Sequence, residues 1–383
     1  MSAITRQTVE ATLRQYQDPY LNQDPVSAGC LREVEIQGDR VRVRLELGYA
    51  AGLFRNGLAQ TLQMALEALD GVARAEVRVD CVIQPHKAQP QVEVMGNVKN
   101  IVAVASGKGG VGKSTTAANL ALALAREGAR VGILDADIYG PSQGIMFGLP
   151  EGTRPKVREQ KWFEPLEAHG VQVMSMAFLT DDSTPVVWRG PMVSGALIQL
   201  ITQTAWDNLD YLVVDMPPGT GDIQLTLAQK VPVAGAVIVT TPQDLALLDA
   251  KKGVEMFRKV NIPVLGVVEN MAVHICSNCG HAEHLFGEGG GEKLAAQFGV
   301  ELLASMPLSI AIRTQADSGR PTVIADPESQ LAMLYQEIAR HVGARIVLSE
   351  RPASACRTSA SATTEALGQP SATAAFALGR RPR

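Results

Sequence analysis

Hydrophobic and polar residues alternate near the start of the chain. The segment LREVEIQGDRVRVRLEL alternates around Gly38-Asp39, which predicts two strands joined by a turn. A polar helix up to about Gln17 precedes it, the helical spacing of NGLAQTLQMALEAL follows it, and VARAEVRVDCVI is again typical of a strand. Residues 1–88 are therefore predicted to form a small α/β domain in the order helix, hairpin, helix, strand.

From Ile101 onward the apolar residues form continuous runs instead. The runs are IVAVAS, VGILDAD, VQVMSM, YLVVDMP, AGAVIVTT and VLGVVENM. Helix-length segments separate them, which predicts an α/β fold with a mostly parallel sheet covered by helices on both faces over residues 99–348. Turn-forming and polar residues at 89–98 predict a linker. Residues 349–383 are rich in Ala, Ser, Thr and Pro and are predicted to be disordered.

Length and composition narrow the possible partners. A chain of 383 residues is long enough for two cores, and a formal charge of -4 does not favour a general polyanion-binding surface. The N-terminus is polar, and no apolar run reaches the roughly 18 residues of a membrane span. We therefore expect a soluble cytoplasmic protein with neither nucleic-acid nor membrane partners. The five cysteines are too few and too scattered for a disulfide framework.

A phosphate-binding loop follows the first buried strand. GKGGVGKS fits G-x-x-x-x-G-K-[ST] between IVAVAS and a helical segment, where backbone N–H groups and a helix N-terminus are able to surround phosphate oxygens. Lys113 would reach the β- and γ-phosphates of ATP, and Ser114 would bind Mg²⁺. The predicted nucleotide contacts in the loop are Gly107, Lys108, Gly109, Gly110, Val111, Gly112, Lys113, Ser114 and Thr115.

Aspartates stand at the ends of two further strands. Asp215 in YLVVDMPPGTGD is expected to hold Mg²⁺ through its water shell, and Gly219 in the next loop is expected to act as a γ-phosphate switch. In LDADIYGPS, either Asp135 or Asp137 is a candidate for positioning the attacking water or a metal-bound water. Capping of a helix N-terminus is the alternative role for this pair.

These motifs together resemble a known family. KGGVGKS with its early lysine, DADIYGPS, DMPPGTGD and VVENM resemble the Mrp/ApbC branch of the MinD-type, deviant Walker A P-loop ATPases over about residues 99–345. The resemblance implies that Lys108 crosses a homodimer interface and stabilises transition-state charge on the partner's nucleotide, much as an arginine finger does. It also implies that Asp137 activates water and that Asn270 contacts the adenine. The implied catalytic set is Lys108, Lys113, Asp137 and Asp215.

A second candidate site is the pair Cys276 and Cys279, flanked by three histidines in HICSNCGHAEH. The spacing fits a single-chain zinc knuckle with two cysteines and two histidines, a redox disulfide, or half of an iron–sulfur site. A [4Fe-4S] cluster prefers four thiolates, which a symmetric dimer would supply. The resemblance implies this third interpretation, because Mrp/ApbC proteins are carriers of a labile cluster bound at this pair.

The first domain also resembles the small domain fused to many Mrp proteins. Where that domain usually has a Thr-Pro-x-Cys-Pro-like segment, this chain has GYAAGLFRNG, so no thiol chemistry is expected there. Cys81 is predicted to be a core residue, Cys30 a structural one and Cys356 an incidental thiol of the tail.

Two classes of function are compatible with these features. The leading hypothesis is a homodimeric, slow ATPase that uses ATP and Mg²⁺ and carries a [4Fe-4S] cluster to apo iron–sulfur proteins, with cluster-assembly scaffolds as further partners. The alternative is a MinD/ParA-like positioning ATPase with a structural zinc at the cysteine pair. A nitrogenase-reductase-like electron donor is disfavoured, because it would use one cysteine from each of two separated loops.

Overall fold

The helices and strands of the protein are defined by a computed structural model, which describes residues 4–86, 95–138, 140–179, 190–276 and 278–349. The helices are α1 (Arg6–Leu13), α2 (Arg55–Glu67), α3 (Lys113–Arg126), α4 (Gln143–Met146), α5 (Gly190–Gln203), α6 (Asp222–Lys230), α7 (Asp244–Lys259), α8 (Gly290–Phe298), α9 (Ile310–Asp317), α10 (Thr322–Ala325) and α11 (Gln330–Ser349). The strands are β1 (Leu31–Gln37), β2 (Arg40–Leu47), β3 (Arg74–Cys81), β4 (Val98–Ala105), β5 (Val131–Asp135), β6 (Val157–Arg158), β7 (Trp162–Phe163), β8 (Leu166–Ala168), β9 (Val171–Ser175), β10 (Leu209–Asp215), β11 (Val233–Thr240), β12 (Val264–Glu269), β13 (His274–Ile275), β14 (Ala282–Glu283) and β15 (Leu302–Ser305).

The sequence of β2 explains the packing of the first sheet. Its apolar residues are buried in one hydrophobic cluster with the apolar face of α2, while its arginines point to the other face. β1 pairs with β2 in antiparallel fashion, and β3 pairs with β2 in parallel after the α2 crossover. The predicted order of helix, hairpin, helix and strand is confirmed.

The predicted first helix is too long, since α1 ends at Leu13 rather than near Gln17. Asp18 precedes a proline, a position that disfavours helical backbone. Its Oδ1 accepts hydrogen bonds from the backbone N–H groups of Tyr20 (2.8 Å) and Leu21 (2.9 Å), which turns the chain away from the helix axis. Local side-chain hydrogen bonding therefore overrides the polar helical pattern.

The second sheet has the strand order β15-β12-β11-β4-β10-β5-β9-β8 and is flanked by helices. All its pairs are parallel except β8 with β9. This confirms the expected P-loop NTPase class with a mostly parallel sheet, while the β6–β7 and β13–β14 hairpins, β8 and β15 were not predicted. Because the strands are parallel, the carboxyl ends of β4, β5, β10, β11 and β12 lie at one edge of the sheet.

The domain boundaries proposed from the sequence stay a prediction. The linker at 89–98 falls partly on residues 87–94, outside the described residues, and so does the tail from residue 350 onward, which includes Cys356. Cys30 is buried, and Cys81 is half-buried against the core of the first sheet. Within the described ranges, no helix is both long and apolar enough to span a membrane.

The last helix packs against both sheets. Ala344 of α11 belongs to the hydrophobic cluster of the first sheet, whereas Ile338 and Val342 belong to that of the second. Arg340 donates hydrogen bonds to Tyr20 Oη (2.9 Å) and to Glu127 Oε1 (2.8 Å), and Glu127 lies at the C-terminal end of α3. The buried ion pair of Arg340 with Glu127 thus joins the closing helix to the phosphate-loop helix. The hydrogen bond of Arg340 with Tyr20 joins the closing helix to the segment before the first sheet.

Replacing Glu127 by Ala is expected to lower the free energy of unfolding by at most about 3–5 kcal/mol, because Arg340 loses its buried partner and keeps only the more exposed Glu337. The backbone N–H of Leu53, 2.9 Å from Glu127 Oε2, would lose its acceptor as well. Denaturant unfolding measures the change. Glu328→Ala is the matched control, since Glu328 pairs with Arg126 at the surface and should shift stability by less than about 1 kcal/mol. Equal shifts in the two variants would contradict the structural role of Glu127.

Candidate functional site

The glycine-rich loop lies between β4 and α3, at the edge where the strands end. Gly110 and Gly112 have φ values of 81° and 84°, which favour glycine. A Cβ atom on Gly112 would lie 2.1 Å from Asn270 Nδ2, and one on Gly107 would lie 2.2 Å from the carbonyl carbon of Asp249. Glycine is therefore required at both ends of the loop. Gly109 is exposed, Val111 is buried, and Thr115 is part of the first turn of α3.

Lys113 is the centre of a buried charged cluster. Its Nζ lies 2.5 Å from Asp215 Oδ1, 3.6 Å from Asp137 Oδ2 and 3.2 Å from Ser114 Oγ. Lys113 and Asp215 are both buried, so each charge is compensated by the other rather than by water. The cluster brings together the lysine and the oxygen groups that the sequence assigned to phosphate and Mg²⁺.

The two aspartates at the carboxyl end of β5 have different surroundings. Asp135 Oδ1 accepts the N–H of Asp137 (3.1 Å), and its Oδ2 accepts the N–H groups of Ser142 (2.9 Å) and Gln143 (3.1 Å) and the hydroxyl of Ser175 (3.2 Å). Burial and the nearby Asp215 charge raise the pKa of Asp135 to about 7, against the effect of these backbone donors. Asp135 therefore acts as an acceptor that folds the loop, whereas the Asp137 carboxylate faces Lys113.

The early lysine lies at the rim of the site. Lys108 Nζ is 3.3 Å from Gln243 Oε1, in the loop between β11 and α7, and the Lys108 carbonyl accepts the Ser106 hydroxyl (2.9 Å). Gln243 also accepts from the Thr241 hydroxyl (3.3 Å). The lysine is held by a neutral amide rather than a carboxylate, so its charge is not neutralised by this contact.

The other two predicted contacts flank the loop. The Gly219 N–H donates to the Ser106 carbonyl (2.9 Å), and its φ of 98° again favours glycine. Asn270 Nδ2 donates to the Val111 carbonyl (2.9 Å). Asn270 therefore reaches the phosphate loop from the end of β12, and its role toward adenine stays a prediction.

Cys276 and Cys279 lie in the turn of the β13–β14 hairpin, with Ser277 outside the described residues. The hairpin is closed by hydrogen bonds from the Cys276 N–H to the His281 carbonyl (2.9 Å) and from the Gly280 N–H to the Cys276 carbonyl (2.8 Å). The backbone N–H groups of Cys279 and Asn278, and then the Cys279 thiol, donate to the Cys276 sulfur and lower its pKa. This favours the thiolate, the form that binds metal.

The thiols are free and Cys279 is exposed, so the disulfide interpretation is not the state that the structure describes. In the part of the chain that the structure describes, no three His, Cys, Asp or Glu side chains gather as a metal site. His284 Nδ1 is 2.9 Å from the Ala272 carbonyl, and His281 is exposed. The four ligands of a single-chain zinc knuckle are thus not brought together by this arrangement.

The glycine-rich segment after the hairpin packs against the loop that holds Lys108. A Cβ atom on Gly290 would lie 2.8 Å from the carbonyl oxygen of Pro242, the neighbour of Gln243. Glu269, at the end of β12, accepts the N–H of Gly291 (2.7 Å) and the hydroxyl of Ser305 (3.1 Å). The segment enters α8 at Gly290 and is held by these backbone contacts.

Three polar residues of the site were missed from the sequence. Gln143, Gln243 and Glu269 each bind a predicted site residue or the glycine segment. Gln243 closely follows β11 and Glu269 ends β12, so strand-end position is a signal for these two, whereas Gln143 begins α4 and has no such signal. Strand-end position was applied to the aspartates but not to glutamine or glutamate.

Comparisons with known proteins agree with this architecture. The profile of a family described as "NUBPL iron-transfer P-loop NTPase" matches residues 97–343, and that of a family described as "Iron-sulfur cluster assembly protein" matches residues 6–79. The first match spans more than half of the chain and includes both the phosphate loop and the cysteine pair.

Individual relatives point to the same family. An iron–sulfur cluster carrier protein of Pseudomonas fragi is 82% identical over 278 residues, which cover 73% of this chain and 97% of the relative. The iron–sulfur cluster carrier protein of Escherichia coli K12 is 49% identical over 89% of this chain and 92% of its own length. A solved nucleotide-binding protein from Archaeoglobus fulgidus, in complex with ADP, is 39% identical and has a TM-score of 0.54, covering 61% of this chain and 91% of that one. The chain belongs to the family of iron–sulfur cluster carrier proteins, which are P-loop NTPases of the iron-transfer type.

Proposed function

We propose that the protein is a cytoplasmic, homodimeric ATPase that binds a labile [4Fe-4S] cluster between two subunits and transfers it to apo iron–sulfur proteins. The pair of half-buried Cys276 and exposed Cys279 carries this proposal. Each chain offers two thiols on a surface hairpin, and within the described ranges no further ligands gather beside them. Two hairpins related by a twofold axis would supply the four thiolates that such a cluster prefers.

The residues around Lys113 fit a Mg²⁺–nucleotide. Ser114 and Asp215 offer the oxygen ligands that Mg²⁺ prefers, and Lys113 is charged and adjacent to both. Ser114 and Asp215 would hold Mg²⁺, which would supply positive charge beside the phosphates. Lys113 would exchange its contact with Asp215 for the phosphates, the glycine N–H groups would donate to them, and Asp137 would orient the attacking water.

The contacts around Pro242 and Asn270 support a coupling between nucleotide and cluster. Gln243 holds Lys108, and its neighbour Pro242 contacts Gly290 in the glycine segment. Asn270 contacts the phosphate loop and is joined by one short segment to Cys276. Lys108 would leave Gln243 when it reaches the partner's nucleotide. The contact between Pro242 and Gly290 and the contact between Asn270 and the phosphate loop would then change, and the orientation of the cysteine hairpin would change with them.

The decisive test is anaerobic reconstitution of the full chain, followed by iron, sulfide and zinc analysis and transfer to an apo [4Fe-4S] protein with and without ATP. We expect about four iron and four sulfide per two chains, together with ATP-dependent transfer. One zinc per chain with no chromophore would overturn the carrier role and favour the positioning ATPase with a structural zinc. A cluster that transfers at the same rate with and without ATP would overturn the coupling alone.

Replacing Lys108 by Ala is expected to lower ATP hydrolysis by about 10³-fold while changing nucleotide affinity little, because the lysine acts on transition-state charge. Steady-state hydrolysis and binding of a fluorescent ADP analogue measure the two effects. Mixing Lys108→Ala subunits with Lys113→Ala subunits should restore activity, since each mixed dimer then has one nucleotide site with its own Lys113 and an intact Lys108 from the other subunit. A mixture that stays inactive would mean that Lys108 does not act on the partner's nucleotide.

A further inference from the structure

Gln143 occupies a buried position between three parts of the nucleotide site. It is the first residue of α4 and is 0% exposed. Its backbone N–H donates to Asp135 Oδ2 (3.1 Å), and its Nε2 donates to Asp215 Oδ2 (2.8 Å) and to the Ser114 carbonyl (3.0 Å). One side chain thus joins the loop after β5 to the end of β10 and to the start of α3.

The chemistry of these partners fixes the orientation of the amide. Asp215 Oδ2 and the Ser114 carbonyl are both acceptors, so only the NH₂ group of Gln143 is compatible with them, and a flipped amide would bring oxygen against oxygen. Both N–H bonds of the amide are therefore used. Gln143 Oε1 is buried and lacks a hydrogen-bond partner among the described residues. A buried amide oxygen without a donor destabilises the fold, so its retention points to a donor supplied by a ligand.

Gln143 and Lys113 bind different oxygens of the Asp215 carboxylate. Lys113 Nζ contacts Asp215 Oδ1, and Gln143 Nε2 contacts Asp215 Oδ2. Once Lys113 moves to the phosphates, the bond from Gln143 is, among the described residues, the hydrogen bond that still fixes the Asp215 carboxylate. The carboxylate then keeps the orientation in which it is able to hold a water of the Mg²⁺ shell.

We propose that Gln143 is a positioning residue for Mg²⁺: its NH₂ group holds Asp215, and its Oε1 accepts a hydrogen bond from a water bound to the metal. This inference rests on the proposed binding of Mg²⁺–nucleotide and adds a residue that none of the motifs in the sequence had singled out. It does not involve the cysteine pair.

The test compares nucleotide binding by the wild type and by Gln143→Met, which keeps the unbranched shape but removes both the donor and the acceptor. Titrations of a fluorescent ADP analogue are run in EDTA and over a series of free Mg²⁺ concentrations. We expect the Mg²⁺ concentration for half-maximal enhancement of binding to rise about tenfold, as for residues that orient metal ligands, with affinity in EDTA unchanged. Gln199→Met, on the exposed surface of α5, is the matched control and should match the wild type.

Equal weakening of binding with and without Mg²⁺, or an unchanged Mg²⁺ requirement, would overturn the inference. In combination with Asp215→Ala, the Gln143→Met change should raise the Mg²⁺ requirement by less than it does alone, because the carboxylate that Gln143 orients is then absent. Full additivity would mean that Gln143 does not act through Asp215. Should Gln143→Met fail to fold, Gln143→Asn, which keeps the amide but shortens its reach, serves in its place. A wild-type chain that binds no nucleotide would instead count against the proposed ATPase function.

Discussion

Reconstituted Cys276→Ala/Cys279→Ala protein is expected to contain no iron–sulfur cluster, compared with about four iron per two chains in the wild type. The hairpin turn holds the two thiols close enough for the Cys279 thiol to donate to the Cys276 sulfur. Among the described residues, no other set of His, Cys, Asp or Glu side chains lies together that would bind the cluster in place of these cysteines. Anaerobic iron and sulfide analysis with visible absorption measures the loss. ATP hydrolysis should persist, because the phosphate loop is intact.

Cys81→Ala is the matched control for the double variant. Cys81 is a half-buried thiol of the first sheet, where burial raises its pKa and so disfavours the thiolate that binds metal. This variant should keep the full iron content. Loss of iron in Cys81→Ala, or its retention in the double cysteine variant, would show that the hairpin is not the cluster site.

Lys113→Ala is expected to reduce ATP hydrolysis by at least about 10²-fold, because it removes the charge that faces the β- and γ-phosphates. The same change leaves Asp215 and Asp137 close together without the intervening cation. The protein without nucleotide should therefore lose stability, and its thermal midpoint should fall. Hydrolysis assays and thermal unfolding measure the two effects, and ATP-dependent cluster transfer should be lost together with hydrolysis.

Lys161→Ala is the control for Lys113→Ala. Lys161 is an exposed lysine that packs over Trp162 and is not part of the phosphate loop. It should leave hydrolysis, transfer and the thermal midpoint nearly unchanged. Cluster transfer that remains ATP-dependent in Lys113→Ala would separate the nucleotide site from cluster release and would remove the proposed coupling.

Local signals in the sequence predicted the sheet and the phosphate loop. Continuous apolar runs identified the parallel strands, and the eight-residue loop pattern placed Lys113 and Ser114 at a helix N-terminus, because strand, loop and helix are consecutive in the chain. Asp215 was reached by the related argument that strands of a parallel sheet end at one edge.

Residues whose partners are distant in the chain could not be assigned in this way. Gln143 meets Asp215 across 72 positions, and Lys108 meets Gln243 across 135. For Gln143, no charge pattern or spacing rule distinguishes such a role from an ordinary surface position. The β8 strand and the cysteine hairpin are too short for a period to be recognised.

The position of α11 has a consequence for synthesis of the chain on the ribosome. Tyr20 and Arg340 are separated by 320 positions, and the core of the first sheet includes Ala344. The first sheet therefore exposes apolar surface until α11, which is translated much later, has docked. Contacts of such long range form slowly, and partly folded chains of this kind are prone to aggregate. The first sheet completes its fold only after translation has passed α11.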